Sequence, residues 1–350
     1  MHHFENDYNA LCHPLVLKAI QDSADVHMPA YGNDDICKEA AERICDLCGN
    51  HNLSVHFLSG GTQTNATVIA AALRPHQAVV AAESGHIVEH ESGAIEATGH
   101  KIITVPSNDG KIQLDILKQL LDKHYAPDGL SPEHFAQPKL VYISFSTESG
   151  TIYYRRELEE LRAVCDRFGA YLYIDGARLG YGLCAADCDL SLADLVAFSD
   201  VMYIGGTKQG LMFGEAVVIS NPAIAQDFRY VIKQRGGMLA KSWLVGLQFN
   251  AMLMNDVYFS AARHANTLAD QIREFLVKNK NVLALSNRTN QVFAVLSDKT
   301  LDVLAEDFLF CEWIRIDDQH RMVRFCTSWA TESDAVDALC AELEKLSLLF

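Results

Sequence analysis

The sequence predicts an α/β fold: a mostly parallel central sheet flanked by helices, with a small α+β domain at the C-terminal end. Three observations carry this. Short apolar runs alternate with stretches at helical spacing through the larger part of the chain. Five of those runs end in polar or glycine-rich residues, the place where open parallel sheets bind ligands. After about residue 250 the rhythm changes to a long helical stretch, three strand patterns and a closing helix.

The elements follow in order. Residues 55–58 form the first strand pattern and run into Ser59-Gly60-Gly61-Thr62, with an alanine-rich helix expected over 64–73. Strands are expected at 78–82 and 101–105, the second closed by the turn Asn108-Asp109-Gly110. Leu114, Leu117, Leu120 and Leu121 then share a helix face. Strands at 140–145, 171–174, 201–204 and 216–219 surround a helix at 157–168. From Ser242 one helix is expected through Leu247, Met254 and Leu268 to Phe275. Strands at 291–296, 313–316 and 322–326 precede a helix burying Val336, Leu339, Cys340, Leu343 and Leu346, with Thr331 and Asp334 as its capping box. The expected division is a large domain over 1–250, including an N-terminal arm over 1–30, and a small one over 251–350.

Composition excludes several classes. The 350 residues are 49% hydrophobic and 21% charged, enough apolar mass for a sizeable core and too little charge for a disordered chain. A net charge of −16 repels phosphate backbones and anionic membranes, so neither nucleic acid nor a membrane surface is an expected partner. No apolar stretch reaches the roughly 18 residues of a membrane span. The first residues lack the pattern of a signal peptide. The ten scattered cysteines read as reduced thiols, and a cytoplasmic protein is the expectation.

The strand ends carry the chemistry. Gly60-Gly61-Thr62 opens a helix straight after a strand, so free amides, the helix dipole and a hydroxyl converge on a phosphate-sized anion. The bland alternative is a tight strand-to-helix turn. Asp175 ends the apolar run Tyr171-Leu172-Tyr173-Ile174, where a carboxylate needs a cationic partner or a function. Arg178 can pair with it as a structural ion pair; alternatively the carboxylate faces a protonated ring nitrogen. Lys208 follows Ile204-Gly205-Gly206-Thr207; the bland alternative is a surface-loop lysine, whereas an enclosed lysine has a depressed pKa and a nucleophilic amine. In order, a phosphate loop, a strand-end aspartate and a strand-end lysine point to pyridoxal phosphate held on Lys208 as a Schiff base.

The chain resembles the threonine aldolase and β-eliminating lyase family of fold-type-I pyridoxal-phosphate enzymes. The marks, over most of residues 4–330, are Phe4-Glu5-Asn6-Asp7-Tyr8, Tyr31-Gly32-Asn33-Asp34, Ser59-Gly60-Gly61-Thr62, His86-Ile87-Val88-Glu89-His90-Glu91, Asp175-Gly176-Ala177-Arg178, Gly206-Thr207-Lys208 and Val323-Arg324-Phe325. The resemblance implies a lyase that cleaves L-threonine or L-allo-threonine to glycine and an aldehyde. It implies that Lys208 bears pyridoxal 5′-phosphate, His86 stacks on its ring, Asp175 pairs with the ring nitrogen and Arg178 sits near the phenolic oxygen. Gly61 and Thr62 would bind the phosphate. Arg324, with Asn6, Arg178 and Tyr31, would bind substrate, Arg324 through its carboxylate. A homodimer or homotetramer with shared active sites is implied too, with Tyr31 and Lys241 reaching a neighbour's site.

Three positions depart from the family pattern: Asn6 replaces a serine, Ser146-Thr147-Glu148-Ser149 replaces a histidine-bearing Asn-Thr-His-Asn, and Leu239 replaces an arginine. The proton acceptor would then be His86, His90 or Glu148. The departures keep β-elimination and transamination open as rival reactions. A zinc peptidase through His86-x-x-Glu89-His90, with Glu157, Glu159 or Glu160 as third ligand, is the rival of a different class. Cys45 with Cys48 and Cys184 with Cys188 read as buried thiols rather than metal or redox pairs.

Overall fold

The computed structural model describes residues 1–125, 131–279, 282–283 and 287–349. In chain order its strands are β1 (His2–Phe4), β2 (Ser54–Leu58), β3 (Gln77–Ala82), β4 (Lys101–Val105), β5 (Gln137–Ser144), β6 (Tyr171–Asp175), β7 (Val201–Gly205), β8 (Glu215–Ile219), β9 (Val282–Leu283), β10 (Gln291–Ser297), β11 (Phe308–Arg315) and β12 (His320–Cys326). Among the described residues they form a seven-stranded sheet in the order β2-β8-β7-β6-β5-β3-β4 and a five-stranded sheet in the order β1-β11-β12-β10-β9. In the large sheet only β8 runs against its neighbours β7 and β2. The sheet is therefore mostly parallel, as the alternating pattern predicts.

Strands buried on both faces read as continuous apolar runs, and parity assigns each residue to a face. Val80, Val141, Ile143, Leu172, Ile174, Met202 and Ile204 face one core, which takes in the helices Asp35–Cys48, Arg155–Phe168 and Trp243–Leu253. Val79, Leu140, Tyr142, Tyr173, Val201 and Tyr203 face the other, under the helix Gly61–Ala72. Asp175 lies two residues beyond Tyr173, so parity directs it to the same face as three buried tyrosines.

The expected long helix from Ser242 to Phe275 is two helices, Trp243–Leu253 and Val257–Lys278. Asn255 (φ 52°) and Asp256 (φ 63°) both adopt the left-handed conformation, which breaks the helical ladder. Asparagine and aspartate tolerate that region better than other non-glycine residues, so the break falls on them. The second helix joins two cores: Tyr258 and Ala261 pack with the large sheet, whereas Leu268, Ile272 and Leu276 pack with the small one. Phe4 also belongs to the small core, because β1 pairs in parallel with β11. The closing helix Ser333–Leu349 buries Val336, Leu339, Leu343 and Leu346. Thr331 does not cap it through a capping box; its hydroxyl accepts the Ser328 N–H at 2.8 Å. All ten cysteines are free thiols. No helix among the described residues is long and apolar enough to cross a membrane.

The break makes a stability prediction. Residue 255 is exposed, so substitution there acts through backbone conformation. Asn255→Gly should leave the melting temperature unchanged or higher, whereas Asn255→Val should cost about 1–2 kcal/mol in urea unfolding.

Candidate active site

Asp175 ends β6 with a relative exposure of 3%. Four donors meet its carboxylate. Oδ1 accepts from the Tyr203 hydroxyl at 2.5 Å and the Ala177 N–H at 2.9 Å. Oδ2 accepts from the Tyr142 hydroxyl at 2.6 Å and from Asn65 Nδ2 at 3.0 Å. Burial, with the charge of Asp175 beside them, pushes both phenols far above their ordinary value, so they stay protonated donors. Of the two readings of Asp175, the ion pair with Arg178 does not form. Arg178 turns to Asp7, donating from Nε to Oδ2 at 2.7 Å and from Nη2 to Oδ1 at 2.9 Å. Asp175, already bonded to neutral groups, needs no cation, and the guanidinium makes a bidentate pair with a carboxylate 171 residues away.

A chain of polar groups runs outward from Asp175. Asn65 Nδ2 also donates to Glu91 Oε1 at 2.7 Å, and His86 Nδ1 lies 2.8 Å from the same oxygen. The Tyr173 hydroxyl donates to Asn65 Oδ1 at 2.6 Å, which fixes the orientation of that amide. Glu148 is buried beside this chain, its Oε1 accepting from the His86 N–H at 3.1 Å and from Ser144 Oγ at 2.7 Å. Its Oε2 is buried with no hydrogen-bond partner. Burial raises the Glu148 pKa despite the Ser144 bond. The His86 and His90 rings lie 5.6 Å apart, and burial together with His86 lowers the pKa of His90.

Lys208 follows β7 on a short turn held from below. Glu215 Oε2 accepts the Gly206 N–H and Oε1 accepts the Thr207 hydroxyl, both at 2.8 Å. Burial raises Glu215 to about 7, against those bonds and the nearby Lys208 charge. The Tyr181 hydroxyl donates to the Lys208 carbonyl at 2.6 Å. Lys208 Nζ makes no hydrogen bond or ion pair among the described residues and lies 5.9 Å from the centre of the Tyr8 ring. Desolvation first, then the Arg178 charge, depresses its pKa. Lys208 is half-buried rather than a free surface-loop lysine.

Gly60 caps and Gly61 opens the helix Gly61–Ala72, as the motif predicts. A Cβ on Gly61 would lie 3.2 Å from the Tyr203 hydroxyl, so a side chain there would press on the donors of Asp175. The Thr62 side chain is exposed and its hydroxyl makes no hydrogen bond among the described residues. Arg324 reaches the site from β12, with Nη2 donating to the Glu5 carbonyl at 3.4 Å beside Asn6. Asn6 Oδ1 accepts the Tyr8 N–H at 2.9 Å. Tyr31 stands apart: its carbonyl accepts from Arg229 and its ring lies 4.7 Å from Lys233 Nζ. Lys241 is exposed.

The zinc reading does not assemble. His86 Nδ1 is taken by Glu91, and Glu157 is bonded to Lys111 Nζ and the Tyr154 N–H. No three His, Cys, Asp or Glu side chains among the described residues form a metal-binding group. Sequence reasoning gave no role to Asp7, Asn65, Glu91, Tyr142, Tyr203, Glu215 or Gln291. The tyrosines had a signal: a phenol in a doubly buried strand must find a partner.

The donor set suits pyridoxal phosphate. An unpaired, depressed amine, a fully hydrogen-bonded carboxylate, free first-turn amides with a hydroxyl, and a buried guanidinium without an acid partner lie around one end of the sheet. Asp175 already accepts four hydrogen bonds, so a ring nitrogen would replace one of its present donors.

Comparison with known proteins gives the same direction. Residues 17–299 match the profile of the family described as β-eliminating lyase. The threonine aldolase of Leishmania major is similar in structure, with a TM-score of 0.96 and 39% sequence identity over 99% of this chain and 100% of that one. The low-specificity L-threonine aldolase of Pseudomonas aeruginosa is 28% identical, covering 97% of this chain and 95% of that one. The histidinol-phosphate aminotransferase of Clostridium acetobutylicum, at 12% identity and a TM-score of 0.74 over both whole chains, shares the fold.

The Asp7–Arg178 pair carries a stability prediction. Burial alone would raise Asp7, but the Arg178 and Lys208 charges and the Arg178 bonds hold it below its ordinary 3.8. Its folded pKa is depressed, so the pair stabilises fully above that value and the gain is lost as pH falls below it. Asp7→Ala, which leaves Arg178 buried and unpaired, should cost about 3–5 kcal/mol in urea unfolding at neutral pH. The variant should also lose less stability than the parent on acidification below pH 3.8.

Proposed function

The chain belongs to the β-eliminating lyase family, and from that premise we propose that it is a pyridoxal-phosphate-dependent aldolase cleaving L-threonine or L-allo-threonine to glycine and an aldehyde. The carrying observation is the unpaired, depressed Lys208 beyond β7, next in the sheet to the strand that ends in Asp175. Likeness to the Leishmania major and Pseudomonas aeruginosa enzymes over nearly the whole chain supports the substrate.

Lys208 would hold the cofactor covalently, because burial depresses its amine and favours the reactive neutral form. Gly61 and Thr62 would receive the phosphate at the helix start. Asp175, held by Tyr142, Tyr203 and Asn65, would face the ring nitrogen. When bound, pyridoxal phosphate supplies the electron sink for the pair released from the Cα–Cβ bond. His86 would pack its ring against the cofactor, and Arg178, fixed by Asp7, would lie near its phenolic oxygen. Arg324 takes the substrate carboxylate, with Asn6 beside it. His86 Nδ1 is committed to Glu91, which leaves Nε2 as the acceptor for the β-hydroxyl proton. Glu148, buried and raised in pKa, is the second proton-holding group.

The active protein is a homo-oligomer. Tyr8, Leu11, Leu15, Leu17 and Tyr31 are exposed on the N-terminal segment, and covering them would bring Tyr31 and Lys241 toward a neighbour's site. The free thiols fit a reducing compartment.

Aldehyde release from L-threonine and L-allo-threonine, coupled to NADH oxidation, tests the reaction. Lys208→Ala should abolish release. His86→Phe, which keeps a ring face, should lose about 100- to 10,000-fold in kcat, and Glu148→Gln less than about tenfold. Pyruvate and ammonia from serine, with no aldehyde from threonine, would favour β-elimination instead.

A further inference from the structure

A guanidinium as buried as Arg324, at 8% exposure, ordinarily takes a carboxylate. Arg324 takes none among the described residues. Nη1 donates to Gln291 Oε1 at 3.0 Å and Nη2 to the Glu5 carbonyl. The Trp313 ring lies 5.0 Å from its central carbon. Nε is buried with no partner. Every contact is neutral, so the full positive charge stays available to an anion.

The small sheet builds this arrangement. In the antiparallel β10–β12 pair Gln291 stands opposite Cys326 and Phe293 opposite Arg324, which puts Gln291 diagonal to Arg324 on one face. The β11–β12 register shifts between Glu312 and Ile314, leaving Trp313 as the extra residue of a bulge that aims its ring at the guanidinium. Phe293 meets Trp313 edge-on, with ring centres 5.2 Å apart. Gln291 is fully buried and uses both ends of its amide: Nε2 donates to the Thr147 carbonyl at 3.3 Å, one residue before Glu148.

We propose that Gln291 is a positioning residue for substrate recognition. Its amide fixes Arg324 without neutralising it, Trp313 supports the guanidinium from the ring face, and the Thr147 bond ties both to the loop carrying Glu148. This rests on the reading of Arg324 as the carboxylate anchor. The choice of an amide is the informative feature. A glutamate would fit the same space and hold Arg324 more strongly, but it would occupy the charge that the substrate needs.

The test titrates the holoenzyme with glycine, followed by cofactor absorbance, alongside KM and kcat for L-threonine and thermal melting. In Gln291→Glu, glycine affinity and KM should weaken together by about 10- to 100-fold, with kcat within about threefold and melting temperature unchanged or higher. In Gln291→Met, which frees the guanidinium without neutralising it, both should weaken by about 3- to 10-fold. Glycine affinity within about twofold of the parent in both folded variants overturns the proposal, as does a loss confined to kcat. The glycine readout needs no bond cleavage. A parent that releases no aldehyde but shows these glycine shifts would sink the aldolase reading and leave the role of Gln291 standing.

Discussion

Burying a carboxylate at the end of a central strand is costly unless donors meet it, and that requirement at Asp175 organises the site. The donors come from three directions: Tyr142 on β5, Tyr203 on β7 and Asn65 on the helix Gly61–Ala72. Each spans a junction between neighbouring elements. Asn65 extends the constraint to Glu91 and through it to His86, so the imidazole orientation is set from the strand beneath. Three tyrosines on one sheet face are the material for this shell. The two-residue repeat of the strand puts Asp175 on their side.

Charge is distributed with equal economy. Four ionic side chains meet where the N-terminal segment, β6, β7 and β12 approach one another. Asp7 and Arg178 neutralise each other in a bidentate pair. Lys208 and Arg324 are left without ionic partners among the described residues, and the two solutions differ. Lys208 is depressed by burial and by Arg178, which favours the neutral amine as a nucleophile. Arg324 cannot lose its proton at ordinary pH, so it remains a cation held by neutral groups and suited to an anion. Glu215, raised to about 7 by burial beneath the Lys208 turn, anchors that turn by accepting from Gly206 and Thr207.

Much of this was legible in the sequence because it is local. Apolar runs ending at Asp175 and Gly205 mark strands and the side on which a ligand binds. Glycines ahead of Thr62 mark a helix start. What sequence reading missed depends on distant pairings. Arg178 is three residues from Asp175 and within reach of it as one of two readings, yet its partner is Asp7, 171 residues back. No local signal separates those choices, because Asp175 is claimed by phenols from neighbouring strands. Gln291 and Trp313 acquire meaning only from strand register and a bulge. The helix break at Asn255 and Asp256 was hidden because the hydrophobic pattern on either side continues at helical spacing.

The central claim is that Lys208, and no other lysine, carries the cofactor. Incubation with pyridoxal phosphate, borohydride reduction and peptide mapping by mass spectrometry test it directly. The account predicts one stoichiometric pyridoxyl adduct on the peptide containing Lys208. An adduct on another lysine with Lys208 unmodified, or none under conditions that label a known enzyme of this kind, would contradict it.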